Sequence, residues 1–136
     1  MTIENDLLAS LTGDATLTTA LTGGVHSDTQ IDRSLTPAAF DANKEILPCA
    51  LLKMEVESPV SPYPRGSRKF AVVYLYQRVG YDVIRTARDR VFNLWHEQKV
   101  GEKVWQIFHA DDVNDQEDGA LECSLIVSRY VVYRLR

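Results

Sequence analysis

The stretch from Phe70 to His96, FAVVYLYQRVGYDVIRTARDRVFNLWH, changes its hydrophobic period in mid-course. Phe70, Val72, Tyr74 and Tyr76 alternate with Ala71, Val73 and Leu75. That alternation predicts a strand, and apolar residues on both faces make it a central one. Gly80 breaks the run, and Asp82 is the expected N-cap of the helix DVIRTARDRVFNLWHEQ. In this helix Ile84, Ala87, Val91, Leu94, Trp95 and Gln98 follow the i, i+3, i+4, i+7 rule, while Arg85, Asp89 and Glu97 point away. Gly101 is its expected end. Arg85, Arg88 and Arg90 share the helix with Asp82 and Asp89, which reads as a solvated helix face.

Outward from this pair the pattern extends in both directions. PCALLKMEVE, from Pro48, sets Ala50, Leu52, Met54 and Val56 against Lys53 and Glu55, a half-buried strand. SPVSPYPRGSR packs three prolines and a glycine between the two strands and predicts a protruding loop. After the helix, EKVWQIFHA predicts a strand through Val104, Gln106 and Phe108 or the alternate set. DDVNDQEDG predicts an acidic loop, and ALECSLIVSRYVVYRLR a long final strand with Leu121, Cys123, Leu125 and Val127 opposite Glu122, Ser124 and Ser128. At the N-terminus Leu7, Leu8 and Leu11 predict a helix closed by Gly13, and Asp14 can cap a second one over about Ala15–Leu21, stopped by Gly23 and Gly24. Val25–Leu47 holds no period and is expected to be a long, meandering connection. The predicted order is α-α-loop-β-β-α-β-β. This is an α+β fold over 1–136: N-terminal helices in 1–24, then a ββαββ core in 48–136 with one mostly antiparallel sheet and the amphipathic helix across it.

Composition narrows the function classes. The chain has 136 residues, 45% hydrophobic and 25% charged, with 15 Lys plus Arg against 19 Asp plus Glu. A chain of this size builds a core without disulfides or metal. The net charge of −4 argues against a dedicated nucleic-acid or anionic-membrane binder. No window approaches the ~20 consecutive apolar residues that cross a bilayer, and the start lacks a basic segment before an apolar run, so synthesis in the cytoplasm is expected. Residues 1–68 carry the whole net charge of −4, and 69–136 are neutral because their acidic stretch is offset by arginines and lysines.

Signatures of catalysis and cofactor binding are absent from the sequence: no GxxxxGK[ST], no GxGxxG and no GxSxG. His26, His96 and His109 fall in separate elements, and Cys49 and Cys123 lack metal-ligand spacing and read as buried free thiols. In the acidic stretch Asp111, Asp112, Asn114, Asp115, Glu117 and Asp118 crowd together, but the sixth position from Asp112 is Glu117 and the twelfth is Cys123, which fails the EF-hand pattern. A solubilising hairpin or an acidic surface for a basic partner remain open. The proline loop has the opposite sign, with Tyr63, Arg65, Arg68 and Lys69, and reads either as an exposed connection or as an arm that docks on another subunit.

The order of elements resembles a known family. LLASLTGDATLTTALTGGVHSD, the proline before the strand LPCALLKME, and FAVVYLYQRVGYDVIRTARDRVFNLWH together resemble the tail terminator, or tail completion, proteins of long-tailed bacteriophages and prophages, over about Asp6 to Tyr133. Ile31–Leu47 lies outside the pattern, which keeps the head-tail connector or head-closure (neck) proteins as the alternative. The resemblance implies a non-enzymatic virion protein, assembled in the host cytoplasm as a homo-hexameric ring. Such a ring would cap the tail tube, stop tube growth and join tail to head, with the major tail tube protein and neck proteins as partners and no cofactor or metal. Within it, Tyr63, Arg65, Arg68 and Lys69 on one side and Asp111, Asp112, Asp115, Glu117 and Asp118 on the other are the expected subunit or partner contacts, since a closed ring needs two different patches per subunit. A small hydrolase using Asp111 and Asp112 is the rival from another class; adjacent carboxylates are a weak signal for acid–base work.

Overall fold

The computed structural model describes residues 2–27, 29–59, 66–102 and 104–135. Helices α1 (Ile3–Thr12) and α2 (Ala15–Ala20) precede strand β1 (Val25–Ser27); a 3-10 turn at Pro37–Ala39 interrupts the connection to β2 (Cys49–Pro59). Then follow β3 (Gly66–Gln77), α3 (Asp82–Trp95), β4 (Val104–Asp118) and β5 (Cys123–Leu135). The five strands form one sheet in the order β1-β2-β3-β5-β4. All neighbours are antiparallel except β1 and β2. β3 is central, as its two apolar faces predicted.

Helices cover one face of the sheet. Leu7, Leu11 and Leu17 from the N-terminal helices and Ile84, Ala87, Val91 and Trp95 from α3 bury against Leu52, Val73, Leu75, Ile126, Tyr130 and Val132. The opposite face is covered too, by the segment expected to be a meandering loop. Ile31, Ala39, Phe40 and Ile46 pack there on Cys49, Leu51, Tyr76 and Cys123. The length of this segment has a topological cause: β1 runs parallel to β2, and a parallel pair needs a crossover of a dozen or more residues. Three residues, VHS, are too few to show a period in sequence. Both thiols are free and buried in this second cluster, and burial pushes each pKa up to about 12.

Several boundaries differ from expectation. Asp14 does cap α2, accepting from Leu17 N at 3.0 Å. Asp82 does not cap α3; it is the first helical residue, and the N-cap position, Tyr81, offers no side-chain bond. The cap comes from the end of β3, where Gln77 Oε1 accepts from Val83 N and Ile84 N at 3.0 and 3.2 Å. Gly101 does not end the helix. α3 stops at Trp95, Glu97 takes a left-handed φ of 58° and bonds Ile107 O through its N–H, and Gly101 (φ 73°) turns the chain into β4.

The largest correction concerns the acidic stretch. It is no loop: β4 continues without a break through Asp118, and only 119–122 turn. Bulges between Val104 and Gln106, His109 and Asp111, and Val113 and Gln116 shift its phase, so a single alternation cannot describe it. On β5 the inward set is Ser124, Ile126, Ser128, Tyr130 and Val132, which puts the two serines under the helix layer instead of in solvent. Cys123 instead faces the second cluster, with Leu121 and Leu125 partly buried against it.

Candidate assembly surface

β4 forms one border of the sheet, with β5 on one side and no strand on the other among the described residues. A 15-residue border strand leaves a long row of backbone donors and acceptors for a partner. Three bulges and a left-handed Asp115 (φ 55°) interrupt that row.

The acidic residues of β4 find partners across the strand and on the helix above. Asp111 receives a two-pronged pair from Arg129, Nε to Oδ1 at 2.8 Å and Nη2 to Oδ2 at 2.5 Å. This guanidinium holds the Asp111 carboxyl below its ordinary range. Asp112 Oδ1 accepts from Ser128 Oγ at 2.5 Å and lies 2.9 Å from His109 Nε2. From α3, Arg85 reaches Asp115 at 2.9 Å and Arg88 reaches Asn114 at 2.7 Å. Arg90 forks onto Asp14, at 2.9 and 2.6 Å, and pins α3 to α2. That pairing, ahead of the helix cap at Leu17 N, lowers the Asp14 pKa. The arginine face of α3 is solvated at Arg85 and Asp89, as expected, yet its arginines also pair with β4 and α2 and so strut the helix layer to both.

Beside these struts runs a chain of aromatic contacts. Phe92 stacks on His96 with centroids 4.5 Å apart, His96 meets Phe108 edge-on at 6.1 Å, and Phe108 meets Tyr133 at 5.9 Å. His109 stands edge-on to Phe92 and to Tyr130, and Tyr130 to the buried Trp95. His96 Nδ1 accepts from His109 N at 3.0 Å, which ties the end of α3 to β4. Phe92, Phe108 and Val113 keep 38%, 39% and 45% of their surface exposed on this border. Leu35 and Val79 are the other exposed large apolar side chains among the described residues.

The geometry around Asp112 decides what chemistry the cluster can do. Ser128 gives its proton to a carboxylate, its side chain is fully buried, and the histidine meets the same carboxylate oxygen, Asp112 Oδ1. A nucleophilic serine needs the base on its own hydroxyl, so this order of contacts does not activate Ser128. Asp111 and Asp112 are not a carboxylate pair either, because one bonds Arg129 and the other Ser128, neighbours on opposite faces of β5. The main cavities, about 490, 480 and 520 Å³, are lined by neither aspartate.

The residues expected at subunit contacts separate in space. Tyr63 and Arg65 lie outside the described residues. Arg68 and Lys69 sit on β3, beside Ser58 and Glu57 of β2 and beside Tyr133 and Val132 of β5. Asp111, Asp112 and Asp115 have the partners given above, while Glu117 and Asp118 lie at the far end of β4 opposite Ser124 and Cys123. Asp118 accepts from Leu121 N at 3.0 Å, and Glu117 is exposed. Sequence reasoning missed Arg129, Gln77, Phe92 and Phe108. Arg129 acts through a partner 18 residues away, Gln77 reaches across the β3–α3 turn to residues two to seven positions on, and the two phenylalanines read as ordinary apolar positions.

No protein-family model matches the chain, and no curated protein matches it in sequence. Solved structures do. A chain from the structure titled "Virion of native gene transfer agent (GTA) particle" superposes with a TM-score of 0.71 over 98% of this chain and 95% of that chain. The likeness is one of fold. At 10% identity it carries the arrangement of helices and strands, over nearly the full length of both molecules.

Proposed function

We propose that this chain is a structural virion protein, a ring-forming subunit that caps a tail tube, ends its polymerisation and offers the joining surface to the head. The observation that carries the reading is the end-to-end fold likeness to a chain of a virion particle, with no large insertion on either side. The resemblance of the sequence to tail terminators points the same way. A border strand flanked by exposed Phe92, Phe108 and Val113 is the kind of surface that subunit packing covers. The seam beneath it is stiffened by ion pairs and aromatic contacts, so it can meet a neighbour with little loss of side-chain freedom.

Native mass spectrometry and negative-stain microscopy test this, on the protein alone and with tail tubes. The expected result is a hexameric ring, free or at one end of each tube, and tubes of regulated length. Rings that bind portal or connector assemblies and ignore tubes assign the chain to the neck instead. A chain that stays monomeric in both settings and leaves tube length unregulated refutes the proposal.

A further inference from the structure

The two ends of the β3–β5–β4 part of the sheet carry unpaired charges of opposite sign. At one end Arg68 and Lys69 stand on β3, where neither has an ion-pair partner among the described residues. The neighbouring carboxylate, Glu57, is already engaged by Arg134 Nε at 2.8 Å and by Ser67 Oγ. At the other end Glu117 stands next to last in β4 and Glu122 in the β4–β5 turn, both exposed and without an ion-pair partner among the described residues. Asp118 stands with them. Arg78, at this end of the sheet, is engaged by Glu45 at 2.9 Å.

This acidic end is also concave. A cavity of about 480 Å³ opens between the β3–α3 connection and the β4–β5 turn, lined among others by Val79, Tyr81, Glu117, Asp118 and Glu122. Val79 is 74% exposed at its mouth. Arg78 lines the cavity as well, but Glu45 engages it, and Asp118 accepts from Leu121 N; Glu117 and Glu122 are left beside the exposed Val79, which suits a basic guest.

The two ends cannot satisfy one another within one molecule. Arg68 and the Gln77–Ser124 pair that marks the acidic end are nine residues apart along β3, roughly 30 Å at strand spacing. The Debye length at physiological salt is about 8 Å. We infer that the occupant of the acidic cavity is a second copy of this chain, presenting its Arg68–Lys69 end head to tail. The inference rests on the ring proposed above and names its contact. Opposite patches on opposite ends make a heterologous interface, the type that closes into a ring where the rotation between subunits permits and runs on as a filament where it does not. Asp111, Asp112 and Asp115 drop out of the interface because Arg129, Ser128 and Arg85 engage them inside the subunit.

A charge-swap experiment reads this contact directly. Variant one is R68E/K69Q; variant two is E117K/E122Q. Both change surface residues, and matching circular dichroism and melting curves establish that each is folded. Each alone should need at least about tenfold more protein than wild type to assemble, with the wild-type midpoint itself rising with salt. Mixed in equal amounts they should assemble again, because the reversed end of one variant fits the reversed end of the other. Native mass spectrometry should then show only even-numbered rings with the two chains in equal numbers. A chain carrying all four substitutions should assemble by itself.

Wild-type rings with both variants assembling as wild type overturn the head-to-tail contact and leave the ring proposal standing. Variants that fail alone and also fail when mixed overturn it too, since the charged ends then face a different molecule. A wild-type chain that never forms rings, alone or on tubes, overturns both.

Discussion

Replacing Gln77 by Met isolates the interaction that starts α3. The side chain is 8% exposed and keeps its length and stem packing in the variant, so the change removes polar atoms and little volume. What is lost is Oε1, which accepts from Val83 N and Ile84 N, and Nε2, which donates to Val79 O at 3.0 Å and Asp82 Oδ1 at 2.6 Å. Loss of a helix N-cap costs about 1 kcal/mol. The Ile84 N–H is buried, and leaving a buried donor unpaired costs roughly 1–3 kcal/mol. These overlap, because one acceptor serves both, so the expected loss is about 2–3 kcal/mol. For a chain of this length each kcal/mol moves Tm by roughly 3–5 °C, interpolating between smaller and larger domains. Calorimetry should therefore show Tm lowered by about 6–15 °C. Urea unfolding should show a lower midpoint at unchanged slope. Gln77→Glu separates the two halves of the interaction. It keeps an acceptor for Val83 N and Ile84 N but sets a carboxylate against Asp82, so its deficit should shrink as pH falls toward 4. A Gln77→Met protein within about 1 °C of wild type would refute the reasoning, because water would then be satisfying the first turn of α3.

Three further outcomes are expected. Arg90 and Arg129 hold Asp14 and Asp111 below the ordinary carboxylate range, and the Gln77 amide does the same for Asp82; depressed folded values give stability that is present above the unfolded pKa of about 3.9 and lost as pH falls below it. Tm should be level from pH 5 to 7 and drop steeply from pH 4 to 3; a flat profile through pH 3 contradicts the pairing. The thiols behave with the opposite sign, since burial raises both to about 12: stability should decline as pH rises above about 8.5, and a thiol reagent at pH 8 should find none in the native protein and two after denaturation. Gly101→Ala should lower stability by roughly 1–3 kcal/mol, because φ is 73° and the added Cβ would lie 2.4 Å from Asp6 Oδ2; an unchanged urea midpoint would mean the turn is free to move.

The legible part of the fold was local. Two apolar faces on Phe70–Tyr76 named the central strand, and the helical spacing from Ile84 to Trp95 named the helix that crosses it. Asp14 read correctly as a cap because its partner, Leu17 N, is three residues away. Errors cluster where partners are distant. Asp111 is a poor strand former, yet it sits in β4 because Arg129 lies directly across from it, 18 residues later. Arg90 looked solvated because Asp14 is 76 residues earlier. Of the nine residues expected at the assembly surface, Asp111, Asp112 and Asp115 have partners within the subunit in Arg129, Ser128 and Arg85, pairings that no charge pattern along the chain encodes.

The amino-acid order alone determined the α+β class, the central strand and the helix that crosses it, because periods of 2 and 3.6 are written in neighbouring residues. Tertiary structure alone decided that the acidic stretch is a border strand, that the long connection forms a second core over the far face, and that Arg68 and Lys69 stand at the other end of the sheet from Glu117 and Glu122. Those outcomes depend on which strands lie side by side and in what register. Pairings between residues tens of positions apart set the register, and no window of sequence contains both partners.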